Sequence, residues 1–186
     1  MWVRGPTVRQ APTTAVQPAP GLPVTASVPA GPAETAARPF TAPSHRGQSP
    51  HVAWVNAHGG AGASTLAQRL GGVDMGRRWP DPARGEPSRM FLVARTHDAG
   101  MRAASQAVDL LRKKEHPAGV QLVGLVLVAD APGHLPPALG RRVRVLRSIA
   151  DVHRLPWIPA WRLGRQLSQP PKQLQRIAHL VAEQPR

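Results

Sequence analysis

The residues best suited to chemistry are Gly59, Gly60, Ala61, Gly62, Ala63, Ser64 and Thr65, which follow the apolar run Val52-Ala53-Trp54-Val55. Three glycines in four positions let backbone N–H groups converge where side chains would exclude an anion. Ser64 and Thr65 then open a helix whose positive end points to the same place. Strand, glycine turn and helix in that order predict a phosphate cradle; a bare glycine turn ahead of a helix is the plainer alternative. Other chemistry has less support. His45, His51, His58, His97, His116, His134, His153 and His179 are scattered without metal-ligand spacing, and Ser64 lies in no Gly-x-Ser-x-Gly pattern. This argues against a metalloenzyme and against a hydrolase triad. His58, at the mouth of the cradle, would be positively charged beside a bound phosphate, or would simply end a strand.

The elements that must position this loop are those of an α/β domain. Arg89 to Thr96 reads as a second strand, with Thr96 or Asp98 capping a helix from about 99 to 115 that carries Met101, Ala104, Val108 and Leu111 on one stripe. Val120 to Val128 is nearly uninterrupted apolar sequence, as expected of a parallel strand covered on both faces, and is the candidate for the centre of the sheet. A proline-initiated helix over 137–150 places Val143, Val145, Leu146, Ile149 and Ala150 on one arc and Arg141, Arg144 and Arg147 opposite. A short strand, 152–155, and a last helix, 172–183, with Leu174, Ile177 and Val181 inward, complete the chain. Between Val73 and Arg89, Pro80, Pro82 and Pro87 predict a loop.

Taken with its setting, Gly59-Gly60-Ala61-Gly62-Ala63-Ser64-Thr65 resembles the deviant Walker A loop of the ParA/MinD group, usually Lys-Gly-Gly-x-Gly-Lys-[Ser/Thr]-Thr. His58 stands where that group has its signature lysine, Ala63 replaces the phosphate-binding lysine, and Ala57 replaces the opening glycine of the general loop. Lysine-free versions are similar to the CpaE/TadZ branch and to small proteins of actinobacterial plasmids and conjugative elements. The resemblance implies ATP or another nucleotide held with Mg2+, Ser64 as the metal ligand, and Pro156 and Trp157 near the base. The asparagine that the family places after its central strand is replaced by Ala129 and Asp130. Asp74 and Asp81 are the only carboxylates between the loop and Glu86, and neither follows an apolar run as a Walker B acid does.

Residues 1–50 hold ten of the 22 prolines, one acid (Glu34) and no periodicity, which predicts a disordered tail before a single domain over 51–186. With no cysteine, nothing calls for an oxidising compartment. The chain start lacks an apolar leader segment, and the longest apolar stretch, 120–131, falls short of the roughly 20 residues that span a bilayer; a cytoplasmic protein is expected. Lys+Arg 24 against Asp+Glu 10 gives +14, and only Lys113, Lys114 and Lys172 are lysines. So much arginine suits a polyanionic partner, while codon bias in a high-GC genome would give the same enrichment. Arg141, Arg144 and Arg147 are the candidate nucleic-acid contacts, against an ordinary solvated face. Trp157 and Trp161 would stack on a base, form a hot spot for a protein partner, or cover the edge of the core.

The expected fold is therefore a shortened three-layer α/β domain with a parallel sheet of about four strands and a phosphate-binding first turn. The expected function is a nucleotide-binding adaptor or positioning protein with little or no turnover, in the plasmid or conjugative setting that the resemblance implies. The alternatives are a basic DNA-associated protein in which the loop is a relic and, last, an NTPase in which an arginine stands in for the lysine.

Overall fold

The computed structural model describes residues 51–183; the expected proline-rich tail lies outside the described residues. Five strands, β1 (Val52–Asn56), β2 (Val73–Asp74), β3 (Arg89–Arg95), β4 (Gln121–Val128) and β5 (Val152–Leu155), form one sheet in the order β2-β1-β3-β4-β5. Every neighbouring pair is parallel. The helices are α1 (Ala63–Leu70), α2 (Asp98–Arg112), α3 (Pro137–Arg147), the single turn α4 (Pro159–Arg162) and α5 (Lys172–Ala182). This is the α/β, parallel-sheet architecture expected from the sequence.

Alternation along the strands builds the two sides of the core. Ala53, Val55, Met90, Leu92, Ala94, Leu125 and Leu127 face α2 and α3, where Met101, Ala104, Val108, Val143 and Leu146 meet them. Val52, Trp54, Phe91, Val93, Val126 and Val128 face the opposite way, onto Ala63, Leu66 and Leu70 of α1 and Leu174 and Ile177 of α5. The sheet is thus covered on both faces, which explains why its inner strands read as apolar runs rather than as alternating ones. Trp54 is wholly buried, stacks on Phe91 with ring centroids 4.9 Å apart, and donates its indole N–H to the carbonyl of Gly71 at 2.7 Å. At the far end of the domain the Arg89 guanidinium donates to the carbonyls of Leu180 and Glu183, fastening the end of α5 to the start of β3.

The structure departs from the sequence expectations at four places. The centre of the sheet is β3, not β4: Met90 to Ala94 are all buried, whereas Gln121 to Val123 run past the covering helices. Val73–Asp74, expected in a loop, is an edge strand paired to Ala53 and Trp54. Its ladder continues through the Met75 N–H to the Trp54 carbonyl (2.9 Å) and the Asn56 N–H to the Gly76 carbonyl (2.7 Å). The helix expected over 137–150 ends at Arg147 with Ser148 as its cap, so Ile149 (37% exposed) and Ala150 lie beyond it, and on α3 itself only Val143 and Leu146 are buried while Val145 is 63% exposed. The cap of α2 is neither Thr96 nor Asp98 but His97, whose Nδ1 accepts the Gly100 N–H. Among the described residues no helix is long and apolar enough to cross a membrane.

Candidate functional site

In this strand order the chain leaves β1 through α1 to β2 on one side, then returns to β3 on the other, so the loops after β1 and β3 diverge at the carboxyl edge of the sheet. Such a switch point is where open α/β sheets bind ligands. The glycine loop lies there. Gly60 (φ +74°) and Gly62 (φ +115°) have backbones that side chains rarely tolerate, and a Cβ added to Gly59, Gly60 or Gly62 would meet nothing within 4 Å. At Gly60 and Gly62 glycine is therefore needed for the path of the chain, not for want of space, and the space above the loop is open. The N–H groups of Gly59, Gly60, Gly62, Ser64 and Thr65 find no acceptor among the described residues. Ala61 and Ala63 turn their methyls into the core. The N–H of Ala63 is taken by the side-chain carbonyl of Asn56 (3.0 Å), which ties the end of β1 to the first turn of α1.

Ser64 donates its hydroxyl to Asp74 Oδ2 at 2.5 Å, and Asp74 Oδ1 accepts the Gly76 N–H at 2.9 Å. A carboxylate therefore reaches the loop after all. It arrives from β2, the strand that the prolines of 73–89 concealed, and not from the end of a long apolar run as a Walker B acid does. No group of three or more His, Asp or Glu capable of holding a metal occurs among the described residues.

His58 does not stand free at the mouth of the cradle. Its Nε2 accepts the backbone N–H of Arg95 (2.9 Å), so that nitrogen carries no hydrogen, while Nδ1 lies 2.9 Å from the Gly59 carbonyl. It braces the loop against the end of β3, and Gly100 keeps room for it: a Cβ there would come within 2.8 Å of Nε2. Beside the loop is a cleft of about 100 Å³ lined by Gly62, Thr65, Arg95, Ala129, Trp157 and Arg162, among others. Gly62, Thr65, Pro156 and Trp157 all line this cleft. Trp157, however, carries the guanidinium of Arg162 4.7 Å from its ring centroid, and Trp161 packs against the core as well as lining the cleft.

Sequence reasoning missed Arg95. Its Nη1 donates to the Ala129 carbonyl (3.1 Å) and its Nε lies 3.4 Å from the Gly60 carbonyl. Burial, and then the neighbouring charge of Arg162, pull its pKa below the usual guanidinium value, with Asp130 acting weakly the other way. Arg141, Arg144 and Arg147 are exposed on α3, away from this cleft, and none forms an ion pair among the described residues, whereas Arg142 between them pairs with Asp98 at 2.9 Å.

A solved structure of a Pyrococcus furiosus cell division ATPase, MinD, aligns with 64% of this chain and 45% of its own length, at 16% identity and a TM-score of 0.34. The chain thus spans less than half of that protein. No curated protein matches. The profile of DUF6668, a family of unknown function, matches residues 51–178, and the chain belongs to that family.

Proposed function

We propose that this domain binds the phosphates of ATP or another nucleotide, with Mg2+, at the loop of Gly59 to Thr65, and that it works as a binding adaptor or positioning protein with little turnover. The observation that carries the reading is the set of open N–H groups at the start of α1, above which the glycines leave space. The donor set also suits the ion. The Ser64 hydroxyl and the Asp74 carboxylate are hard oxygen ligands that already touch, and Mg2+ commonly takes only one or two carboxylate ligands and completes its shell with water and substrate phosphates. Bound there, the ion would offset phosphate charge. Phosphoryl transfer depends on positioned charge around the transferred group, and the loop itself carries none, since Ala63 replaces a lysine. Slow turnover follows. The adaptor role and a setting in plasmid maintenance or conjugative transfer rest on the ParA/MinD-like sequence resemblance alone.

The test is thermal stability with and without ATP and Mg2+. A ligand of the folded state at a hundred times its Kd stabilises by about 2.7 kcal/mol, well within reach of a melting experiment. The Mg2+-dependent part of the shift is expected to disappear in Asp74→Asn and Ser64→Ala. No shift with any nucleoside triphosphate, with or without metal, sinks the reading. Rapid phosphate release by the wild type, lost in Ser64→Ala, replaces the adaptor with an NTPase.

A second reading, a DNA-associated protein, is favoured by the unpaired, exposed ridge of Arg141, Arg144 and Arg147. If it is right, changing all three to Gln weakens duplex binding alike for all sequences, and the slope of log affinity against log salt falls by about one unit per lost contact.

A further inference from the structure

The cleft beside the loop has cations on its walls and no acid among its lining residues. Arg95 projects from the end of β3 and Arg162 from α4, close enough that the charge of Arg162 disfavours that of Arg95. Two carbonyls, those of Ala129 and Gly60, fix the Arg95 fork at the lip of the loop. They use Nη1 and Nε, and Nη2 has no partner among the described residues. Arg162 is steadied by lying over the Trp157 ring. On the same wall the indole N–H of Trp161 is buried without an acceptor. Paired guanidiniums held by neutral groups form a site that an anion would complete.

We propose that Arg95 supplies the cation that the loop lacks at Ala63, and that Arg95 and Arg162 together make the cleft selective for a linked phosphate chain, such as a diphosphate, over a single phosphate. The proposal rests on the phosphate-loop reading and adds to it the residue and the ligand class. One phosphate held by the loop N–H groups leaves the cleft beside it for the next phosphate, which would sit between the two guanidiniums and cancel their repulsion. The charge is restored from the neighbouring strand, at a position that the parallel pairing of β1 and β3 brings beside the loop: Asn56 lies opposite Val93, two residues before Arg95.

The experiment is calorimetric titration of the full chain with pyrophosphate, inorganic phosphate and ATP, each with and without Mg2+. Wild type is expected to bind pyrophosphate at least tenfold more tightly than phosphate. Arg95→Gln is expected to lose 10- to 100-fold in pyrophosphate affinity, the scale of one or two charge-assisted hydrogen bonds, with much less loss for phosphate. Arg95→Lys, which keeps the charge but not the fork, should recover most of it. Arg162→Gln, on an exposed side chain that should not affect folding, is expected to erode the pyrophosphate preference as well and decides the matter if Arg95→Gln does not fold. Four outcomes overturn the proposal: no preference for pyrophosphate in wild type; Arg95→Gln indistinguishable from wild type; Arg95→Gln and Arg95→Lys equally impaired in step with a loss of melting temperature, which makes Arg95 a brace only; or an Arg162→Gln variant with the preference intact. If Gly62→Ala abolishes all binding while Arg95→Gln changes nothing, the phosphate loop stands and this inference alone falls. If wild type binds none of the three ligands, both fall together.

Discussion

Gly62 and Gly72 both have positive φ, +115° and +99°, yet the structure gives them different reasons for being glycine. Alanine at Gly62 meets nothing within 4 Å, so its cost is the backbone conformation alone, about 1–3 kcal/mol. Alanine at Gly72 has the same backbone cost, but its Cβ would also lie 2.6 Å from the carbonyl oxygen of Val52 and 2.8 Å from Nε1 of Trp54. Val52 belongs to the strand and cannot give way, so the Gly71–Gly72 turn must shift and the buried indole lose its bond to the Gly71 carbonyl, adding about 1–3 kcal/mol for the unmet donor. At roughly 3–4 °C per kcal/mol for a domain of this size, Gly62→Ala should lower the melting temperature by roughly 3–12 °C and Gly72→Ala by about twice as much. Pyrophosphate affinity should rank them in the opposite order, because Gly62→Ala distorts the cradle, whereas the folded fraction of Gly72→Ala keeps its loop. Urea denaturation gives the two stabilities on one scale, and calorimetry on the folded protein gives the affinities. Equal destabilisation by the two changes, or normal pyrophosphate binding by Gly62→Ala, would refute the reasoning.

Two further expectations concern pH. His153 is 6% exposed, with Nε2 3.3 Å from the Asp151 carboxylate but not hydrogen-bonded. Burial chiefly, with Arg176 adding to it and Asp151 opposing, pulls its pKa below the ordinary 6.5. The unfolded chain therefore takes up the proton first as pH falls, so this contribution to stability is intact above about 6.5 and is lost below it, by at most about 1.4 kcal/mol per pH unit. Urea melts between pH 7 and 5 should show a shallower decline in His153→Leu than in wild type. Glu86 is held from 4.5 down to about 2, first by the Arg78 fork (2.5 and 2.7 Å) and then by the Asp81 N–H (2.8 Å). Its pKa is lower folded than unfolded, so the hold is present above about 4.5 and fades toward 2; the protection factor of the Asp81 amide should fall as pH drops through that window in wild type and be low throughout in Glu86→Ala.

What could be read from the chain in advance was whatever a short stretch decides by itself. The glycines of 59–62 after an apolar run mark the turn because the backbone conformation is a local matter, and the stripe of Met101, Ala104 and Val108 marks α2 because the period is local too. β2 could not be read. Two residues have no period, and Val73–Asp74 is a strand only because Ala53 and Trp54 lie beside it. α3 misled for a related reason: of the five apolar residues expected on one arc, Ile149 and Ala150 lie past the helix end at Arg147, and of the rest only Val143 and Leu146 find sheet beneath them, since β5 is the last strand.

The same distinction explains why the charges of the candidate site were looked for in the wrong stretch. The loop itself carries no lysine, and the two carboxylates between it and Glu86 follow no long apolar run. In the fold, β1 is flanked by β2 and β3, so the residues ending those strands lie on either side of the loop. The carboxylate of Asp74 reaches Ser64 from one side, and the guanidinium of Arg95 reaches the Gly60 carbonyl from the other. Asp74 comes ten residues after Ser64, and Arg95 follows Gly60 by 35, so no window centred on the loop contains both. His58 adds to this: by accepting the Arg95 N–H it fixes the root of the Arg95 side chain beside the loop. A loop without charges of its own can still hold a charged ligand when strand order, rather than sequence neighbourhood, supplies the cation and the acid.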